Sequence, residues 1–365
     1  MATTPEKRRV YLDLTHLGRH VTGIERVSIE QFEHVTFDGA TLIPIRSSGV
    51  ASMVLRQQFL LPLFALLHPG ALFVFPGFPP SPFFSLIRRR VLMYVHDTFL
   101  ITRQKDLSTK ARLYMAPQFR HAVKSLSHFL VNSEKTRDDL AQHTPAGASI
   151  GLYRPGVRNV FDLSAELRAS REAEPKPLRL ISLGTVEPRK NYAAALAILD
   201  QLRATSHPGA ELHIVGRAGW GLDADLISSH PGAIIHGYLS SEDVKKRMDA
   251  ADLYLCTSHD EGLGLPVLEA QYAGLPVVAP DQQVFREVLG TSGTFIDPSN
   301  PGSAATRIED LISGPNWRAT CAAAALANVT RWNALAAADL DHAKKVFATH
   351  AGSACAAIRT AIPTS

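Results

Sequence analysis

Short apolar runs alternate with helix-forming stretches along almost the whole chain, and the alternation breaks once, at a polar segment bearing Glu166, Arg168, Arg171, Glu172, Glu174, Lys176 and two prolines, Pro175 and Pro177. Strands joined through helices imply parallel sheets covered on both faces. A break followed by a restart implies two of them. At 365 residues the chain is long for one core and suits two domains of about 150 to 180 residues each. The expected division is an N-terminal domain over 1–165, a linker at 166–177, a C-terminal domain over 178–340, and a helix and tail over 341–365 that can return to the first domain. The fold class is α/β, with two doubly wound, Rossmann-like domains facing a ligand cleft and helices at the C-terminus.

In the first half, residues 10–13 read as a buried strand, followed by the turn Thr22-Gly23 and a stretch with helical spacing over 24–32. Further strands are predicted at 41–45, 71–75, 91–95 and 128–131, with a turn-rich loop at 76–82 and a helix over 108–125 interrupted by Pro117. Residues 91–95 deliver His96 at a strand's carboxyl end, where open α/β sheets bind ligands. From pattern alone, His96 is equally a ligand-facing group and a satisfied buried histidine. In the second half, strands are predicted at 178–183, 212–215, 233–236, 253–256, 277–279 and 294–296, and helices at 192–203, 242–250 and 266–272. Alanine-rich helices follow from 303 to 347, and Trp317 and Trp332 in them indicate packing rather than low complexity.

A net charge of +4 and a pI near 9.0 are too weak and dispersed to suggest nucleic acid as a partner. The basic runs at 7–9, 88–90 and 245–247 read as solvated faces, or as contacts to an anionic membrane. The three cysteines, Cys256, Cys321 and Cys355, lie too far apart for a disulfide framework or a zinc site, which fits the reducing cytoplasm. No apolar signal region follows the basic N-terminus, so export is not expected. The most apolar run, 59–67, is about half of a bilayer span and contains Pro62, so no spanning segment is expected. It reads equally as a core helix and as a membrane-proximal feature.

The richest stretch is 258–270, Ser-His-Asp-Glu-Gly-Leu-Gly-Leu-Pro-Val-Leu-Glu-Ala. It follows a strand, loses two side chains at Gly262 and Gly264, and starts a helix at Pro266. Amides and the positive end of a helix dipole are then offered to an anionic ligand. Glu261 lies in the turn and Glu269 in the helix, so the two carboxylates serve different parts of the ligand. Tyr238, after a strand, fits base stacking or an aromatic core equally.

Glu261 to Ala270, the run Ala-Gly-Leu-Pro-Val-Val-Ala at 273–279 and Glu287-Val288 together resemble the nucleotide-binding signature of retaining glycosyltransferases of the GT-B fold, family 4, of the mannosyltransferase-like type that builds bacterial surface polysaccharide. The likeness extends to Gly-Thr-Val-Glu-Pro-Arg-Lys-Asn at 184–191, the run 212–216, Ser133 and Arg154-Pro-Gly-Val. It implies that Glu269 binds the ribose, that Lys190 with Arg189 neutralises the diphosphate, and that the amides of Leu263, Gly264 and Leu265 hold the donor sugar and phosphate. It further implies that Glu261 lies beside the donor sugar, that His96 reaches that sugar from the other domain, and that Gly23 lets the first loop approach the diphosphate. Thr185 departs from the pattern: many members have an arginine there, so Lys190 carries more of the charge.

The implied activity is retaining transfer of a hexose, mannose from GDP-mannose first and UDP-hexoses next, to a hydroxyl of a glycan or lipid-linked acceptor. No cofactor or metal is expected, because no Asp-x-Asp cluster is present near the site and cationic side chains with a helix dipole can replace a metal. The expected location is the cytoplasm, including the cytoplasmic face of the inner membrane. Rival readings are a nucleotide-sugar epimerase or phosphorylase on the same fold, and a catalytically silent sugar-nucleotide-binding subunit.

Overall fold

The structure is a computed structural model that describes residues 8–17, 23–36, 39–109, 111–169, 177–219 and 223–359, with side chains for all of these except 167, 223, 224, 346 and 348–359. Lys7, Thr22, residues 170–176 of the expected linker and the side chain of Cys355 lie outside the described residues.

Two six-stranded sheets are formed. The first contains β1 (Arg8–Leu14), β2 (Ala40–Arg46), β3 (Leu72–Phe75), β4 (Val91–Val95), β5 (His128–Val131) and β6 (Ser149–Leu152), in the order β2-β1-β3-β4-β5-β6. The second contains β7 (Arg179–Leu183), β8 (Glu211–Val215), β9 (Ala233–Ile235), β10 (Leu253–Leu255), β11 (Val277–Pro280) and β12 (Gly293–Ile296), in the order β12-β11-β10-β7-β8-β9. All neighbours are parallel. In each sheet the chain winds outward from its first strand, then returns to that strand's other side and winds the opposite way. The reversal falls between β1 and β3 in one sheet and between β7 and β10 in the other. Loops leaving the carboxyl ends of two such strands diverge to opposite faces and leave a crevice, the binding position in open α/β sheets.

Burial explains why the strand runs are apolar on both sides. Ile181, Tyr254 and Val277 enter a core with Val267, Leu268, Phe285 and Trp332. Their chain neighbours Leu180, Leu253, Leu255 and Val278 point the other way, onto Leu196, Leu199, Leu202 and Ile308. The period of two puts one core on each face of the second sheet. Phe73, Phe75, Phe84, Met93 and Phe129 build the core of the first.

The chain forms two compact units, Met1–Pro155 with Leu335–Ser365, and Gly156–Ala334. A single helix, Trp317–Arg359, runs through both sets of residues, longer than the helices predicted to 347. High alanine content favours such continuity. Within the first unit, Asp339 on this helix accepts from the Arg154 amide at 3.1 Å and from its guanidinium at 2.9 Å. Within the second, Asn333 exchanges hydrogen bonds with the Val157 amide and carbonyl at 2.8 and 3.0 Å.

Two features differ from the sequence reading. Part of the polar segment at 166–177 is not a linker: Ala165–Ala169 form a helix, and buried Arg168 donates to the carbonyls of Ala273, Ala251 and Met248 at 2.6, 2.6 and 2.8 Å. Its planar fork satisfies helix-end carbonyls that would otherwise be stranded away from water. The apolar run is also longer than 59–67. Residues Val50–Leu67 are continuously helical, through a π-helical turn at Arg56–Leu60, and are long and apolar enough by composition to cross a membrane. One stripe, Met53, Gln57, Leu61 and Ala65, is nevertheless buried, and Gln57 donates to Asp13 at 3.0 Å. Phe59, Leu63, Leu66 and Leu67 on the other side are exposed.

Candidate active site

The reversal between β7 and β10 sets two loops side by side. The first leaves β7 through Gly184, whose φ of +137° lies outside the range L-residues readily adopt. A Cβ at Gly184 would sit 3.2 Å from Lys190 Cε, and one at Gly216, past β8, would sit 1.9 Å from the Gly184 carbonyl oxygen. Both positions therefore need glycine for the loop to fold under the Lys190 side chain. Pro188–Lys190 make a 3-10 turn, Asn191 takes a left-handed conformation at φ 53°, and the helix Tyr192–Thr205 follows.

The second loop, after β10, is stitched to the first. The Thr257 hydroxyl reaches the carbonyls of Lys190 and Asn191 at 3.1 and 2.9 Å, and the His259 amide donates to the Arg189 carbonyl at 2.8 Å. Gly264, at φ +83°, then turns the chain into the helix Leu265–Tyr272, with Pro266 in its first turn.

Glu261 sits where the two loops meet. Its Oε1 accepts from Lys190 Nζ at 2.7 Å and from the Ser258 hydroxyl at 2.8 Å, and its Oε2 lies 2.6 Å from Arg189 Nη1. Arg189 also reaches Glu187 Oε1 at 2.6 Å and the Asp260 carbonyl at 2.9 Å. Burial alone would push the Glu261 carboxyl up, but Lys190 and Arg189, with hydrogen bonds from Lys190 and Ser258, outweigh it and hold the group at about 2. Burial raises the neighbouring Cys256 thiol, which keeps it protonated and unreactive. A cavity of about 20 Å³ bounded by Ser182, Tyr254, Thr257 and Lys190 adjoins the cluster. That is room for about one water molecule.

The structure thus brings Glu261, Lys190 and Arg189 into one ion-paired cluster, a pairing across 71 residues of chain that the sequence reading did not anticipate. Leu263 is buried beside it, while Gly264 and Leu265 form the entry of the helix. Glu269 is buried on that helix, 4% exposed. Tyr238 is 73% exposed, after Gly237 at φ +69°, which removes the core-aromatic reading. Among the described residues, no group of three or more His, Cys, Asp or Glu is arranged to hold a metal ion.

In the first unit, Gly23 opens the helix Gly23–Ser28. His96 leaves β4 with Nε2 2.7 Å from the Pro76 carbonyl oxygen, its ring edge-on to Tyr94, and its own carbonyl accepting from Asn132 at 2.7 Å. Burial is the main cause that lowers it to about 4, so the ring is neutral near pH 7. Sequence reasoning missed His16, a second buried histidine just past β1. Its signal was available, since it too follows a strand's carboxyl end.

Residues 164–327 match the family model described as glycosyl transferases group 1. The O-antigen chain mannosyltransferase B of Escherichia coli is 31% identical over 156 residues, which are 41% of this chain and 41% of that protein. The serotype-specific mannosyltransferase WbdA of Escherichia coli is 29% identical over 173 residues, 46% of this chain and 21% of that protein. The match therefore spans less than half the length of either relative. Sucrose-phosphate synthase from Thermosynechococcus elongatus superposes with a TM-score of 0.66 at 13% identity, covering 94% of this chain and 100% of that one. Both loops of the site lie inside the segment that matches the glycosyl transferases group 1 model, and the chain has the GT-B fold.

Proposed function

We propose that the chain is a retaining, metal-independent hexosyltransferase that uses a nucleoside-diphosphate sugar. The observation that carries this reading is the Glu261–Lys190–Arg189 cluster at the β7/β10 reversal, immediately before the helix Leu265–Tyr272. Two cations and a helix N-terminus converge where a diphosphate needs them. Lys190, with Arg189, takes up the charge that develops on the leaving diphosphate, and the amides of Leu263, Gly264 and Leu265 hold phosphate and sugar. Glu269 binds the ribose, Tyr238 stacks on the base, and Glu261 faces the donor sugar.

In the transfer, the bond from the anomeric carbon to the diphosphate oxygen breaks with its electron pair going to the diphosphate. A bond from the acceptor oxygen to the anomeric carbon forms on the same face, and the acceptor's hydroxyl proton passes to a phosphate oxygen of the leaving group. Such a route needs no separate general base.

The names of the two bacterial relatives support mannose as the hexose and a glycan as an acceptor, and the resemblance of the loop at 184–191 to mannosyltransferases adds GDP-mannose as the donor, with a lipid-linked glycan as the other acceptor. The exposed apolar face of Val50–Leu67, with Leu86 79% exposed and Arg88 and Arg89 beside it in sequence, supports peripheral contact with an anionic membrane at the cytoplasmic face. Arg90 belongs to the fold instead: it donates to the carbonyls of Ala65, His68 and Pro69 at 3.0, 3.0 and 2.8 Å.

A thermal-shift panel of GDP- and UDP-sugars tests the reading. GDP-mannose is expected to stabilise the protein most, with release of GDP on longer incubation. No stabilisation by any sugar nucleotide overturns the assignment, and stabilisation without any turnover leaves a silent binding subunit.

A further inference from the structure

The carboxyl ends of β1, β3 and β4 carry a polar cluster in which His16 has no role so far. His16 Nε2 lies 3.3 Å from Ser28 Oγ. The Ser28 hydroxyl has one proton, and two carbonyl oxygens, of Ile24 at 2.9 Å and Pro76 at 3.2 Å, are placed to receive it. Its oxygen is then the acceptor for His16, which fixes the proton of that ring on Nε2. His96 faces the same Pro76 carbonyl at 2.7 Å and carries its proton on Nε2 for the same reason. Burial lowers His16 to about 4, so near neutrality the ring is uncharged and Nδ1 is a bare lone pair.

That lone pair is buried and has no hydrogen-bond partner among the described residues. His16 itself is 3% exposed. The surroundings fix the ring rather than leave it to drift. A Cβ at Gly77 would lie 2.4 Å from its Cε1 and Nε2, the Phe78 ring packs at 5.4 Å, and the preceding turn is pinned by Asp13, which accepts from the Thr15 amide and hydroxyl at 3.0 and 2.6 Å. An acceptor left buried and unmatched loses its hydration without a replacement, so it calls for a donor that arrives from outside.

We propose that His16 Nδ1 is a hydroxyl-recognition point, accepting a hydrogen bond from one hydroxyl of a saccharide bound at the carboxyl ends of β1 and β4. The chemistry selects a neutral hydroxyl. A phosphate or carboxylate brings oxygen lone pairs against the nitrogen lone pair, and the carboxylate beside the turn, Asp13, already accepts from Thr15 and from Gln57. The inference rests on the glycosyl-transfer reading, and the sugar is either the donor's hexose or the acceptor's.

The test uses two variants. His16→Gln keeps a donor near the Nε2 position for Ser28 and removes the Nδ1 acceptor, and His16→Asn keeps a polar atom near Nδ1. In histidine-labelled full-length protein, the His16 Nδ1 nitrogen resonance, identified by its loss in His16→Gln, is expected to move on adding methyl α-D-mannopyranoside or methyl α-D-glucopyranoside but not inorganic phosphate. No movement with either glycoside overturns the proposal. In turnover assays, His16→Gln is expected to raise one KM about tenfold, the donor's if the donor sugar is read or the acceptor's if the acceptor is read, with His16→Asn closer to wild type. Unchanged KM values in His16→Gln also overturn it. If the wild-type protein neither binds nor turns over any sugar nucleotide, the glycosyl-transfer reading fails, and the resonance experiment still decides the role of His16.

Discussion

Lys190 Nζ lies 2.7 Å from Glu261 Oε1, and both side chains are largely withdrawn from water. In the unliganded protein the cation assigned to the diphosphate is therefore neutralised by the carboxylate assigned to the sugar. Donor binding must exchange one anion for another. Removing the competing carboxylate charge in Glu261→Gln is expected to tighten binding of inorganic pyrophosphate by about tenfold while weakening the fold, because buried pairs that lose one partner cost about 3–5 kcal/mol. Calorimetric titration measures the first effect and thermal melting the second. Weaker pyrophosphate binding in a folded Glu261→Gln protein would refute the exchange.

Lys190→Ala and Glu269→Ala separate the two ends of the donor. Loss of Lys190 removes charge stabilisation at the leaving group and is expected to lower kcat by about 100- to 1,000-fold. Glu261 keeps Arg189 and Ser258 as partners, so Lys190→Ala should melt close to wild type. Loss of Glu269 should act mainly on the donor KM, because the ribose does not react. Full activity in either variant, measured as nucleoside diphosphate released with acceptor present, contradicts the roles proposed for them.

Acid sensitivity should begin with the histidines and not with Glu261. His16 and His96 stand at about 4 against 6.5 when exposed, so between these values the unfolded chain binds protons that the native protein refuses. Their contribution is complete above pH 6.5 and is lost as pH falls toward 4. For His16 it is on the order of 3 kcal/mol. Glu261 is displaced the other way, from 4.5 to about 2, so its contribution is complete above 4.5 and fades only toward 2. Denaturant melts from pH 7 to 4 are expected to show falling stability, with a shallower slope in His16→Gln. An equal slope in that variant would show that His16 titrates normally.

The loops were legible in the sequence because turn chemistry is local. Gly184, Gly264 and Pro266 announce strand exits and a helix start within a few residues. What the loops do to each other was not legible. Glu261 and Lys190 meet only because the sheet reverses between β7 and β10, and nothing in either segment encodes its neighbour. Arg168 misled for a related reason. Amid charged residues and prolines it has the composition of a solvated linker, and its burial depends on three carbonyls 80 to 105 residues away. His16 was passed over because a single histidine carries little pattern, and the glycine that seats it, Gly77, comes from a different strand's loop.

Gly216 ties the fold to the site without touching a ligand. Gly216→Ala drives a methyl group into the Gly184 carbonyl, at 1.9 Å in the native backbone, so the loop carrying Lys190 must shift. Destabilisation of about 2–4 kcal/mol is expected, the range of severe steric and backbone substitutions, together with a loss of donor binding. Thermal melting with and without GDP-mannose measures both. Native stability in Gly216→Ala would mean that the two strand exits do not pack as described.

The helical face formed by Leu55, Phe59, Leu63 and Leu66 gives a prediction of its own. These side chains are exposed on the side opposite Met53, Gln57, Leu61 and Ala65, so substituting them leaves the buried stripe intact. Phe59 is 67% exposed and Leu63 48%. If the face rests on an anionic bilayer, each apolar side chain inserted contributes about 1–2 kcal/mol, and Arg88 and Arg89 add a term that weakens with salt. Phe59→Asp with Leu63→Asp should therefore reduce sedimentation with phosphatidylglycerol vesicles at low salt by about tenfold or more, with the melting temperature unchanged. Wild-type binding should fall as salt rises but not vanish, because the apolar part is unscreened. Vesicle binding that is absent in wild type, or unaltered in the double variant, would remove the membrane contact from the proposed function and leave the transfer chemistry untouched.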